Sequence, residues 1–149
     1  MTLNALLDAL LALALGVGFA AAAAALYGRY RVLPSFLTGP EICQLEAGGC
    51  QVLFRTPRAA VHGVPNSALG LLLYTLIALG ILLGWSAILL LFGATLALAM
   101  SVYLAYSLLS HHLECRICWA GHVANLVLWI ALLANVLAAR NIGTGLALP

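Results

Sequence analysis

Polar and charged residues are gathered into a few short stretches of this chain, and long apolar runs fill the rest. Three runs carry no Asp, Glu, Lys or Arg over the roughly 20 residues that a bilayer-crossing helix needs. They are Ala9 to Gly28, Val64 to Ser110 and Trp119 to Ala139. The middle run is long enough for two helices, and Gly80, Gly84, Trp85 and Ser86 mark a turn inside it. The pattern predicts four spans, at about 7–27, 65–83, 87–109 and 117–139, and one polar loop over about 28–64 that is rich in Pro, Gly and Arg. The expected architecture is an all-α integral membrane protein: a four-transmembrane-helix bundle in a single domain, 1–149, with cysteines on the loop between the first and second helices.

Composition sharpens this picture. Of the 149 residues, 65% are hydrophobic and 7% are charged, with no lysine. Soluble domains carry about 25% charged residues, so a soluble fold is excluded. The formal charge of +2 and the lack of a basic run give no footprint for nucleic acid. The first span is expected to be retained as a true span and not cleaved as a signal peptide. No Lys or Arg precedes it, and its apolar core exceeds the ~7–15 residues of a signal.

In a four-span chain the loop between spans 1 and 2 and the loop between spans 3 and 4 lie on the same side. Cys43 and Cys50 fall in the first, and Cys115 and Cys118 end the second, so all four thiols are expected at one membrane face. Which face is contested. That side carries Arg29, Arg31, Arg55, Arg58 and Arg116, against Arg140 and the amino terminus opposite, and the positive-inside rule would place it in the cytoplasm. Disulfide chemistry favours an oxidising compartment.

Cys115-Arg116-Ile117-Cys118 places two thiols on one face of a helix start. Amide N–H groups of a first turn and the helix dipole stabilise a thiolate there. Cys43 and Cys50 flank Gly48 and Gly49, which let the segment bend so that the sulfurs can meet. Such a pair can act as a shuttle through mixed disulfides, or as a static staple of the loop. A zinc site built from the four cysteines with His111 and His112 is a further alternative, although the Cys43–Cys50 interval is wide for a zinc knuckle.

Cys115, Cys118, His122 and Asn125 recur at spacings of 3, 4 and 3, one stripe down the last span with thiols at the top. Polar groups at membrane depth are costly and mark function or cross-helix bonding. Asn66, Gly70 and Tyr74 share a face of the second span, with Gly70 available for close helix approach. Tyr103 and Tyr106 read as an interfacial belt. His62, His111 and His112 read as solvated loop residues. No Gly-rich phosphate loop, Ser/His/Asp pattern or haem-ligand pair is present.

Together, the Cys43 to Cys50 pair, Asn66-Ser67-x-x-Gly70-x-x-x-Tyr74, Ser101-Val-Tyr-Leu-Ala105 and Cys115-x-x-Cys118 running to Asn125 resemble the vitamin K epoxide reductase family, in its compact form without a fused thioredoxin domain. The resemblance covers nearly the whole chain. It implies a bundle around a quinone, with Cys115 and Cys118 as the active-site pair and Cys43 and Cys50 as the loop shuttle. It further implies that Asn66 hydrogen-bonds the quinone and that Phe54 and Thr56 line its pocket. His122 and Tyr74 complete the expected quinone contacts. Two departures stand out: the loop cysteines are one residue closer than in the vertebrate enzymes, and His122 stands where those enzymes have a tyrosine.

The resulting expectation is a quinone-dependent thiol–disulfide oxidoreductase in the plasma membrane of a prokaryote. It would reoxidise a thioredoxin-fold (DsbA-like) dithiol protein and reduce ubiquinone, menaquinone or a vitamin K-type naphthoquinone, with no resident metal. Its cysteines are expected on the exoplasmic face, with an inverted topology as the alternative. Quinone epoxide reduction and a non-enzymatic, zinc-clamped membrane scaffold are the competing readings.

Overall fold

A computed structural model describes residues 3–34, 50–111 and 115–145. Cys43, with the rest of 35–49 in the expected shuttle loop, and His112 lie outside the described residues. Helix α1 spans Leu3–Tyr30 and the short α2 spans Cys50–Arg55. A 3-10 turn at Pro57–Ala59 leads into strands β1 (Ala60–Val61) and β2 (Val64–Pro65). Helices α3 (Asn66–Leu82), α4 (Ala87–Ser110) and α5 (Arg116–Gly145) follow.

The first and last apolar runs each lie within one long helix because nothing in them breaks it, and the middle run divides into two helices at its expected turn. Helices α1, α4 and α5 are each long and apolar enough to cross a membrane. Helix α3 is equally apolar but has 17 residues, about 25 Å at 1.5 Å per residue, against a hydrocarbon layer of about 30 Å. Large apolar side chains such as Leu13, Leu72, Ile88, Phe92, Val102 and Ile130 are exposed on the outside of the helices. That is the pattern expected where lipid is the solvent.

The four long helices pack in a ring. Helix α1 lies against α3 and α5, and α4 lies chiefly against α5; the α3–α4 seam is the thinnest. The core has two parts. One draws on all four helices, with Leu11, Ala14, Tyr74, Ile77, Leu90, Ala94, Leu128, Ala131 and Leu132. The other gathers Leu33, Phe54, Leu108, Cys115 and Ile117 at the end where α1 and α4 finish and α5 begins.

The expected turn between the second and third spans is a Schellman motif. Trp85 N–H donates to Gly80 O at 2.8 Å and Gly84 N–H to Ile81 O at 3.2 Å, with Gly84 at φ +70°. Ser86 then caps α4, its side chain accepting from Leu89 N–H. Gly80 is needed for packing, since a Cβ there would lie 2.6 Å from Leu90 and 2.8 Å from Trp85.

The region expected as a plain loop contains more order than its composition suggested. Helix α2 packs against α1 and α5. Arg29 Nη1 donates to Phe54 O at 2.8 Å, and Arg55 Nε donates to Arg29 O at 3.2 Å, tying α2 to the end of α1 twice. Strands β1 and β2 pair antiparallel, Ala60 with Pro65 and Val61 with Val64. His62 and Gly63 at their turn both have positive φ, 49° and 84°, as a type I′ turn requires.

Candidate functional site

The site grows from the start of α5. Cys115 sits at the N-cap position: its carbonyl accepts from Trp119 N–H at 3.0 Å, and its Sγ accepts from Cys118 N–H at 3.2 Å. A disulfide joins Cys115 to Cys118, with Cα atoms 5.2 Å apart. The two cysteines have different surroundings. Cys115 is 1% exposed and packs with Leu33, Phe54, Leu108 and Ile117. Cys118 is half-buried and lines a cavity of about 740 Å³.

That cavity lies between the helices and is mostly apolar, with walls from α1, the α2 region, α3, α4 and α5. Its size falls within the range of small-molecule sites. Among the residues singled out from sequence, Phe54, Thr56, Asn66, Tyr74, Cys118 and His122 all line it, and so does Asn125. Asn66 is the first residue of α3, with Pro65 at the N-cap position. The backbone of Cys50 begins α2, which rests on the cysteine-bearing end of α5. Cys43 lies outside the described residues.

Two side chains have local bonds that narrow their part. Thr56 Oγ1 donates to Leu53 O at 2.8 Å. The Tyr74 hydroxyl donates to Asn125 Oδ1 at 2.6 Å, so Tyr74 contributes its ring to the cavity wall while its proton is engaged. Gly18 makes room for that ring, because a Cβ at Gly18 would fall on Tyr74. Gly70 does not have the expected steric role: a Cβ there would meet Ala22 at 3.5 Å, an ordinary contact. Tyr103 and Tyr106 are exposed and outside the cavity, as a belt would be. His62 and His111 are exposed as well.

Sequence reasoning missed Ser101 as a site residue. It is 5% exposed, it lines the cavity from α4, and it lies 2.6 Å from Asn125 Nδ2 and 3.2 Å from His122 Nδ1. One signal was available: a serine in an otherwise apolar span must find a partner. His122 is also in edge contact with Trp119, ring centroids 6.0 Å apart, and its Nε2 is buried without a hydrogen bond among the described residues. A disulfide at a helix start, with one sulfur facing an apolar chamber that holds a few polar groups, can exchange electrons with an apolar acceptor held there.

No curated protein and no solved structure matches the chain significantly. The sequence profile of the vitamin K epoxide reductase family matches residues 9–133, from the first long helix into the last. That match spans the cavity walls and the Cys115–Cys118 pair alike, and the chain belongs to the vitamin K epoxide reductase family, a family of oxidoreductases.

Proposed function

We propose that this chain is a single-domain, four-span membrane enzyme that takes electrons from a thioredoxin-fold dithiol partner and passes them to a lipid-soluble quinone. The observation that carries the reading is the placing of Cys118: bonded to Cys115 on one side and open to an apolar chamber on the other. Helix α3 completes the fourth span with its preceding hairpin at the interface, a reading its apolar surface supports.

The electron path balances as follows. The partner's dithiol reduces a Cys43–Cys50 disulfide, and the partner leaves oxidised. The thiolate of Cys50 attacks Cys115, breaking the Cys115–Cys118 bond and releasing Cys118 as a thiolate. Cys43 then resolves the Cys50–Cys115 mixed disulfide, leaving Cys115 and Cys118 reduced. These two thiols re-form their disulfide as two electrons pass to the quinone, and two protons complete the quinol. Asn66 and His122 offer hydrogen bonds to the quinone oxygens, and Phe54 covers the ring. The bonded state of Cys115 and Cys118 argues against a zinc clamp, which would need their free thiolates. Family membership also admits a quinone epoxide as the oxidant, which is tested by supplying the epoxide in place of the quinone.

The cysteine end is assigned to the exoplasmic face of a prokaryotic plasma membrane. The arginines of that end oppose it by charge counting, but Arg29 and Arg55 have a mechanical use in tying α2 to α1. Labelling of thiols in sealed, right-side-out vesicles should reach the reduced cysteines from outside; labelling from inside alone would reverse the orientation.

The decisive measurement is dithiol-driven reduction of ubiquinone and menaquinone analogues by purified protein, followed in the ultraviolet. Cys118→Ala should abolish it, and Cys43→Ala, which lacks the resolving thiol, should leave a Cys50–Cys115 mixed disulfide trappable. Wild-type turnover in Cys118→Ala would refute the assignment.

A further inference from the structure

We propose that Tyr74, Asn125 and Ser101 form a directed hydrogen-bond chain that fixes His122 as its Nε2–H tautomer and presents that nitrogen to the cavity as a donor only. The chain has a sense because each member's proton has one place to go. The Tyr74 hydroxyl donates to Asn125 Oδ1 at 2.6 Å, which sets the orientation of the amide. Asn125 Nδ2 then donates to Ser101 Oγ at 2.6 Å. Ser101 has one proton left to give, and His122 Nδ1 stands 3.2 Å away.

The contrast with neighbouring hydroxyls decides the direction of this last bond. Thr75 and Thr95 return their protons to the carbonyls of Leu71 and Leu91, one turn back on their own helices. Ser101 makes no such bond among the described residues, and it is buried. If Nδ1 carried the proton, Ser101 Oγ would accept twice and its own hydrogen would be stranded in an apolar interior. A donor stranded in this way forfeits the hydrogen bond it would make in water. With Ser101 donating to Nδ1, the imidazole hydrogen resides on Nε2 and that nitrogen is the one group left unpaired in this cluster, where the other tautomer would leave both it and the serine hydrogen so. Nε2 is buried, without a partner on the described protein, on a residue that lines the cavity.

A neutral imidazole held this way accepts nothing from the chamber. It favours a ligand with a carbonyl oxygen, and Ser101, Asn125 and Tyr74 act as positioning residues for that selection. The ligand class rests on the quinone reading above; the tautomer does not.

The test is nitrogen NMR of the oxidised, quinone-free protein carrying 15N-histidine in detergent micelles, with His122→Gln identifying the His122 signals. The wild type should show an unprotonated Nδ1 and a protonated Nε2. Ser101→Ala should lose that pattern to a mixture of tautomers, and Ser101→Thr, which keeps the hydroxyl, should restore it. A protonated Nδ1 in the wild type, or an unchanged pattern in Ser101→Ala, overturns the proposal whatever the enzyme does with quinones. With the tautomer established, titration of 1,4-naphthoquinone should show about tenfold weaker binding in Ser101→Ala, the equivalent of one hydrogen bond. Equal affinity would overturn the donor role. Failure of the wild type to reduce any quinone, with the tautomer intact, would instead count against the proposed function.

Discussion

Around Leu128 the four long helices meet over hydrocarbon alone, whereas around Cys118, ten residues earlier on α5 and about 15 Å along its axis, they stand apart over a chamber. The closed end is filled by Leu, Ile and Ala from every long helix, and Leu128 is fully buried there. The open end has its walls joined by paired polar groups and a covering segment tied down by arginines. The difference teaches that the bundle's rigidity and its chemistry are supplied by separate stretches of the same helices. Tyr74 is where they join: it belongs to the closed core by its packing and to the chamber by its ring.

Substitutions can break this division in graded ways. The largest loss of stability is expected at the closed end, from Leu128→Ala. Lipid is as apolar as leucine, so the usual transfer term is absent and the lost packing remains; about 2 kcal/mol is expected, the low end for such changes. Unfolding in mixed micelles would show it, with the naphthoquinone affinity of the folded fraction little altered. Gly18→Ala comes next, at about 1–2 kcal/mol of overpacking, because the new methyl meets the buried Tyr74 ring. Unlike Leu128→Ala, it should also weaken naphthoquinone binding, since Tyr74 holds Asn125. Gly16→Ala, two residues away with nothing near its Cβ, is its control and should be neutral or slightly stabilising. Gly70→Ala is expected to be the mildest change at the chamber wall, within about 0.5 kcal/mol of wild type, because the added carbon makes only ordinary contacts. A strong effect there would mean that the wall fits its ligand more closely than the packing of Gly70 requires.

The long helices were legible because an apolar run without charge or proline has few other options, and the turn at Gly84 and Ser86 announced itself through residues with specific backbone and capping roles. The stripe from Cys115 to Asn125 was legible for a similar reason: regular spacing on a helix converts directly into a shared face. The β-hairpin was not legible, because its strands are two residues each and its turn uses His62-Gly63 in place of the familiar Asn-Gly. Helix α2 is too short to show a period. Ser101 and Gly18 escaped notice because each acts through one partner on another helix, Ser101 through His122 and Asn125, Gly18 through Tyr74. No pattern local to α1 or α4 encodes those meetings.

The two arginine ties of α2 have a consequence for how such a protein can change. Both acceptors, Phe54 O and Arg29 O, are main-chain carbonyls, which any residue would offer equally well. The two ties therefore depend on the guanidinium groups and not on the side chains at their acceptors, and the buried Phe54 ring adds an apolar anchor. Away from these arginines and from Leu53 and Phe54, the covering segment can change its sequence without being cut loose from the rest of the molecule.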